Sequence, residues 1–192
     1  LNNKPYRYRA RAWEMTQHPL VSPHDCTGTN LNGHVLRGRL MRVVPRENEA
    51  VNETWIADRD RYSCEGLYSQ DRAQKPMVRE GGAWREVDWE SALEVAARGL
   101  QKVVRESGAG QLGFLVSPSA TLEEAYLAGR IARGLGSGNV DYRLRRIDFR
   151  DQASDPPAPL LGCAIADLDQ AAAVLVVGSD LRSEVPINAH RI

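Results

Sequence analysis

Asp88-Trp89-Glu90-Ser91-Ala92-Leu93-Glu94-Val95-Ala96-Ala97-Arg98-Gly99-Leu100-Gln101-Lys102-Val103-Val104, followed by Leu112-Gly113-Phe114-Leu115-Val116, decides the fold class. Trp89, Ala92, Leu93, Ala96, Ala97, Leu100, Val103 and Val104 recur at helical spacing on one face. Asp88 suits the N-cap and Gly108 the stop. Glu94 and Arg98 form an i,i+4 pair on the opposite face. Leu112–Val116 is a short unbroken apolar run, the mark of a strand buried on both faces. Thr121-Leu122-Glu123-Glu124 is a capping box that opens a second helix, which runs to Leu135 and stops at Gly136. Ala171–Val177 reads as another buried strand, closed by Gly178. Helix, strand, helix, strand predicts a parallel sheet with crossover helices. Residues 143–170 interrupt it as a long, proline-containing loop.

Upstream the pattern changes. Residues 71–88, with Pro76, Gly81 and Gly82, read as a linker and a domain boundary. Leu31–Leu36 and Leu40–Val44 flank Arg37-Gly38-Arg39, which predicts a hairpin with Gly38 at the turn. Asp58–Tyr68 is expected to be helical, with Asp58 at the cap, and residues 14–29 to be irregular loop. Arg7, Arg9 and Arg11 alternate with Tyr8, Ala10 and Ala12, as in an extended strand with one basic face. The expected fold class is α/β. A small, irregular, β-rich domain over residues 1–70 precedes an incomplete doubly wound parallel α/β domain over residues 71–192. Leu1 and the break at Ile192 suggest a piece of a longer polypeptide.

Lys and Arg number 25 and Asp and Glu 25, so the formal net charge is zero, and 42% of the 192 residues are apolar. Neutrality argues against a nucleic-acid binder and against disorder. Ala171–Val177, the longest apolar run, is far short of the roughly 20 residues that cross a bilayer. Cys26, Cys64 and Cys163 are odd in number and widely spaced, which suggests a reducing compartment rather than a disulfide framework.

In a parallel sheet ligands sit beyond the carboxyl ends of the strands. Those ends are Ser117-Pro118-Ser119 and Gly178-Ser179-Asp180, whose amides could hold a phosphate, although neither carries a phosphate-loop spacing. Small residues at strand ends are more often plain turns. His18, His24, Asp25 and Cys26 are possible metal ligands, but no second pair at zinc spacing accompanies them, and His34 and Cys64 are isolated.

Four segments together carry a resemblance. They are Val43-Val44-Pro45-Arg46-Glu47-Asn48-Glu49-Ala50-Val51-Asn52-Glu53, Trp55-Ile56-Ala57-Asp58-Arg59-Asp60-Arg61-Tyr62, Lys75-Pro76-Met77-Val78-Arg79 and Gly178-Ser179-Asp180-Leu181-Arg182. The chain resembles the large iron–sulfur subunits of bacterial NADH–quinone oxidoreductase (respiratory complex I), in the molybdopterin oxidoreductase superfamily. Arg42–Tyr62 is the most specific stretch. Catalytic relatives bind a [4Fe–4S] cluster through Cys-x2-Cys-x3-Cys and a fourth cysteine roughly 27 residues on. Laid on this chain, those positions are Ser22, Asp25, Thr29 and Ala57, none of which has a thiol. Cys26 is one residue out of register and Cys64 seven past the fourth position. The resemblance therefore implies no cofactor in this segment, with the 2Fe–2S and 4Fe–4S clusters of the full subunit upstream. It also implies no bound pterin. Ser117, Gly178 and Ser179 are vestigial pterin-site candidates, and Asp148 and Asp151 the only acidic candidates for a molybdenum ligand.

The expected function is structural. The segment belongs to a subunit that passes electrons from NADH through iron–sulfur clusters toward quinone, with no catalytic residue of its own. Its partners are other peripheral-arm subunits, on the cytoplasmic side of the bacterial inner membrane, without membrane insertion and without nucleic acid. Arg7, Arg9 and Arg11 and the Arg143–Arg150 cluster are candidate docking surfaces, or plain solvated arginine. The competing readings are a catalytic bis-MGD molybdopterin oxidoreductase and a stand-alone nucleotide-binding module.

Overall fold

A computed structural model describes residues 3–143, 150, 153–154 and 160–192. Asp148 and Asp151, and most of the Arg143–Arg150 cluster, lie outside the described residues. In chain order the elements are β1 (Thr16–Val21), β2 (Asn30–Leu36), β3 (Arg39–Pro45), α1 (Asp58–Tyr62), β4 (Met77–Glu80), β5 (Ala83–Glu86), α2 (Trp89–Ser107), β6 (Phe114–Leu115), α3 (Leu122–Gly134), β7 (Val140–Asp141), α4 (Leu181–Glu184) and α5 (Pro186–Arg191). The mixed α/β content agrees with the expected class. The chain divides into two compact units, one of Leu1–Tyr68 with Asp148–Ile192 and one of Ser69–Ile147.

The first unit is built on an antiparallel sheet in the order β1-β2-β3. The hairpin between β2 and β3 forms where the sequence places it. Arg37 and Gly38 both take positive φ, 50° and 77°, which is the backbone of a tight turn that follows the strand twist. Residues 14–29 are not all loop, because Thr16–Val21 pairs with β2 from Thr16↔Val35 to Val21↔Asn30. Pro19 hid that strand. A proline is tolerated there because β1 is an edge strand, so its missing N–H removes no ladder bond on the free side. Leu31, Val43, Met15, Ala57 and Ile187 form the buried apolar core of this unit.

The basic strand expected over residues 4–13 does not form. Residues 4–9 are turn, with Arg7 N–H donating to Asn3 O and Arg9 N–H to Tyr6 O, and a short 3-10 helix covers Ala12–Glu14. With its amides bonded three and four residues back, the segment offers no ladder. The helix expected over Asp58–Tyr68 is α over Asp58–Tyr62 and tightens to 3-10 over Ser63–Tyr68. Its cap is Ala57 rather than Asp58, and no side chain fills that role.

One side chain organises the loop between β3 and α1. Asn52 is 1% exposed. Its Oδ1 accepts from Asn30 N–H at 2.9 Å, and its Nδ2 donates to the carbonyls of Trp55 at 3.0 Å, Arg46 at 3.2 Å and Asn30 at 3.4 Å. Asn48 O collects the amides of Val51, Asn52 and Glu53. Where the chain turns around the buried Asn52, its backbone polar groups need partners, and here an amide side chain supplies them.

That loop holds the C-terminal segment. The Arg191 guanidinium donates to Glu49 O at 2.6 Å, Val51 O at 2.9 Å and Asp169 Oδ2 at 2.7 Å, and it pairs with Glu53 at 3.3 Å. Trp55 packs on His190 with ring centroids 5.1 Å apart. Arg59 donates to the carbonyls of Ser183 at 2.9 Å and Glu184 at 2.7 Å, which caps the end of α4 with positive charge. The stretch Arg42–Tyr62 is thus the part of this unit that binds residues 165–191 to the small sheet.

In the second unit the helix signals hold. Asp88 accepts from Ser91 N–H at 2.7 Å at the start of α2, and Gly108 takes a φ of 88° at its end. The Thr121–Glu124 capping box closes in both directions at the start of α3. Arg98 and Glu94 pair at 3.7 Å. The expected linker is a hairpin, since β4 and β5 pair across Gly81-Gly82, both at positive φ. The same glycines that suggested a break make a turn.

The parallel sheet is reduced to β6 beside β7, two residues each, and a doubly wound arrangement is not seen among the described residues. Ala171–Val177 belongs to no strand, and Leu175 is 88% exposed. A buried strand needs neighbours on both edges, and no described strand pairs with this one. Trp89, Leu93, Leu122, Tyr126 and Leu127 are likewise exposed, so the apolar faces that predict α2 and α3 lie uncovered.

Candidate functional site

The four positions aligned with cluster ligands come together at the start of α1. Ser22, Thr29 and Ala57 are buried, and the Asp25 side chain is 3% exposed. Ser22 N–H donates to Thr29 O at 2.9 Å. Ser22 Oγ donates to Asp60 Oδ1 at 2.5 Å and accepts from His24 N–H at 3.2 Å. Asp25 Oδ2 pairs with Arg59 at 2.5 Å, and its Oδ1 accepts from Thr27 N–H, an Asx-turn that shapes the loop. His24 Nε2 lies 2.6 Å from Ser63 Oγ and 4.0 Å from Asp60.

Asp60, Arg59 and Ser63 escaped the sequence reading. The signal was the run Asp58-Arg59-Asp60-Arg61, whose alternation on so short a helix sends neighbouring side chains in different directions. Asp60 points inward and is 3% exposed. Burial pushes its carboxyl above the ordinary range; the Ser22 hydrogen bond and the charges of His24 and Arg59 oppose this, and Asp25 adds to it. Its Oδ2, and the hydroxyls of Thr27 and Thr29, have no hydrogen-bond partner among the described residues.

That burial makes stability depend on pH. A carboxyl whose folded value lies above its unfolded one binds more protons folded, so it costs stability as pH rises from the ordinary carboxylate range through the folded value. Asp60→Asn keeps an acceptor for Ser22 and cannot ionise. Relative to the parent, it is expected to gain stability as pH rises from 4 toward 7 and to gain none near pH 3. Urea midpoints at pH 3, 5 and 7 read this; a variant that loses stability equally at all three would show that the carboxylate is fully stabilised where it sits.

The other candidates stand apart. His18 is on β1, exposed, with Nε2 3.0 Å from Thr16 Oγ1. Cys26 and Cys163 are exposed. Cys64 is partly buried, with Sγ 3.9 Å from Arg61 O, and burial followed by the Glu65 charge raises its thiol, which favours the protonated form. Among the described residues no three His, Cys, Asp or Glu side chains gather as a metal site. Ser117 is exposed in the second unit, its Oγ accepting from Ser119 N–H at 3.2 Å. Gly178 and Ser179 are in the first unit, where Gly178 has a φ of 65° and Ser179 Oγ donates to Glu184 at 2.5 Å.

Residues 72–192 match the family model for molybdopterin oxidoreductase. The chain belongs to the molybdopterin oxidoreductase family. Residues 20–65 of this family member match a second model, the 4Fe–4S domain of NADH-ubiquinone oxidoreductase NDSU1/NuoG-like proteins. That match corrects the expectation that no cofactor belongs to this segment: the segment is an iron–sulfur cluster domain by its sequence. Among curated relatives, the NADH-quinone oxidoreductase G subunit of Rickettsia felis is 32% identical over the whole chain, which covers 28% of that protein. The NADH-ubiquinone oxidoreductase 75 kDa subunit of Reclinomonas americana is 29% identical over the whole chain, with 29% of it covered. The NADPH-Fe(3+) oxidoreductase subunit alpha of Geobacter sulfurreducens is 32% identical, with 23% covered. The chain thus spans less than a third of the length of each.

The side chains at the aligned positions were tested against a four-thiolate cluster. Cys26 and Cys64 are the thiols within residues 20–65, two fewer than such a cluster takes. Asp25 is engaged by Arg59 and Ser22 by Asp60. This donor set does not fit four-thiolate ligation.

Proposed function

We propose that this chain is a segment of a complex I subunit that carries electrons from NADH through iron–sulfur clusters toward quinone, and that it acts chiefly as a scaffold. The supporting observation is that Arg42–Tyr62, the most family-specific stretch, spends its side chains and carbonyls on holding residues 165–191. In this reading residues 1–70 are the small cluster-type domain, with Ser22, Asp25, Thr29 and Ala57 at the aligned ligand positions. Residues 71–192 begin a doubly wound domain in which Ser117, Gly178 and Ser179 mark an inherited pterin site. Its partners are neighbouring peripheral-arm subunits on the cytoplasmic face of the inner membrane. Among the described residues no helix is long and apolar enough to cross a membrane.

A second reading comes from the Geobacter sulfurreducens relative, which is as similar over the whole chain as the Rickettsia felis protein. It makes the full-length protein part of an NADPH-dependent ferric reductase. A bacterium whose own large iron–sulfur subunit of complex I has been deleted separates the two. Complemented with the full-length protein that contains this segment, its membranes are expected to regain NADH-driven quinone reduction. Accumulation of the protein with ferric reduction by NADPH, and no quinone reduction, would establish the second reading instead.

A further inference from the structure

We infer that the arginine- and tyrosine-lined face between residues 3–11 and β3 is a docking site for an acidic, carboxylate-bearing segment of a partner protein. The inference rests on the reading of the chain as one part of a larger assembly. Two hollows lie along β3. The first, of about 670 Å³, is bordered by Arg9, Arg39, Met41 and Tyr68. The second, of about 300 Å³, is bordered by Tyr6, Arg7, Arg42 and Arg61.

The chain is neutral as a whole, yet charge is segregated here. None of Arg7, Arg9, Arg11, Arg39, Arg42 and Arg61 forms an ion pair among the described residues. Tyrosines hold three of them instead. The Arg39 guanidinium lies 3.9 Å from the centre of the Tyr68 ring, Arg42 lies 4.7 Å from that of Tyr6, and Arg7 lies 4.9 Å from that of Tyr8. Stacking fixes a guanidinium while leaving N–H groups for a carboxylate; Arg42 spends its Nε on His34 Nδ1 at 3.0 Å and Arg7 one Nη on the Tyr8 hydroxyl at 3.1 Å, whereas Arg39 makes no hydrogen bond among the described residues. Arg61 Nε is buried without a hydrogen-bond partner among the described residues. Tyr68 is itself pinned, since its Oη accepts from Leu40 N–H at 2.6 Å. The face is therefore pre-arranged, which lowers the ordering cost of binding. Glu65 is the one carboxylate bordering the first hollow, and it leaves the balance positive.

Spacing selects carboxylates over a phosphate. Arg39 and Arg42 lie three residues apart on β3, on either side of a bulge at Met41, and border different hollows. A row of separated charges suits an extended segment with several carboxylates, whereas one phosphate needs convergent donors. Pro5, Leu40 and Met41 add apolar contact for the intervening side chains.

The test uses a fluorescent, acetylated peptide of four Glu-Ala repeats and the purified full-length protein that contains this segment. Fluorescence anisotropy in about 50 mM salt is expected to give micromolar binding, weakened at least fivefold in about 300 mM salt. Arg9→Gln with Arg39→Gln is expected to weaken it about tenfold or more. The control Arg105→Gln with Arg130→Gln, which removes the same charge from α2 and α3, should change it less than twofold. Matching far-UV circular dichroism shows that each variant is folded. No binding below 1 mM, equal losses in test and control, or tighter binding of inorganic triphosphate with the same dependence on Arg9 and Arg39 would each overturn the inference. The peptide assay and the membrane complementation fail independently, so either result identifies which reading is wrong.

Discussion

Asn52→Ala is expected to lower the stability of the first unit by about 3 kcal/mol. The substitution removes one acceptor and two donor hydrogens from a side chain with almost no exposure, and it leaves Asn30 N–H and the carbonyls of Trp55 and Arg46 without the partner they have in the fold. An unmade hydrogen bond at a buried backbone group costs about 1–3 kcal/mol, and several are orphaned together. Urea unfolding followed by tryptophan fluorescence reads the change as a lower midpoint with an unchanged slope. Asn52→Asp separates packing from hydrogen bonding. It has the same shape, but its carboxylate faces three carbonyls. It should be at least as damaging at pH 7 and recover part of the loss near pH 4, where the protonated acid can donate again. A cost below about 1 kcal/mol for Asn52→Ala would show that the loop is held by something other than this amide.

Arg191→Met is the second large effect, expected at about 2–3 kcal/mol and localised. The methionine keeps most of the buried stem and loses every polar contact to Glu49, Val51, Glu53 and Asp169. Hydrogen bonds from a charged donor are worth more than neutral ones, and here two carbonyls and two carboxylates share one planar group. The carboxylates of Glu53 and Asp169 are partly exposed and recover water, which keeps the cost below that of stranding a fully buried charge. Amide exchange should rise in residues 165–170 and 186–191 before it rises in β2. Arg191→Lys should rescue less than half, because a single ammonium cannot span the positions that a guanidinium reaches. Full rescue by lysine would show that charge alone, rather than the fork, holds the C-terminal segment.

What could be read from the residues, and what could not, divides along physical lines. α2 and α3 were legible to within a residue or two because their ends are chemical: Asp88, Gly108 and the Thr121–Glu124 box act on atoms three or four positions away. The β2–β3 hairpin was legible for the same reason, through Gly38. Pairing between strands depends on partners that spacing does not name. So Pro19 concealed β1, Gly81-Gly82 suggested a linker, and Ala171–Val177 suggested a sheet that the described residues do not supply. At the candidate site, alignment with a cluster motif located Ser22, Asp25, Thr29 and Ala57 in one neighbourhood. Residues 1–70 resemble a cluster domain, and their missing thiols predicted no cluster there; the match of residues 20–65 to a 4Fe–4S domain corrects that expectation, because a thiol count ignores the surrounding sequence. Asp60 and Arg191 were invisible, since neither lies at a motif spacing and both matter through burial.

The bond from Arg191 to Glu49 closes a gap of 142 positions, and the unit it closes is interrupted by the whole of Ser69–Ile147. On a ribosome the inserted unit is therefore fully synthesised before the first can be completed. Residues 1–68 must wait with their seat for α5 empty while roughly 120 residues, about 6 to 25 seconds of synthesis at about 5–20 residues per second, are made. Closing so long a loop late makes folding slow and its intermediate exposed. During that interval the seat, with its bare carbonyls around Val51, is the surface on which a chaperone or a neighbouring protein would act first.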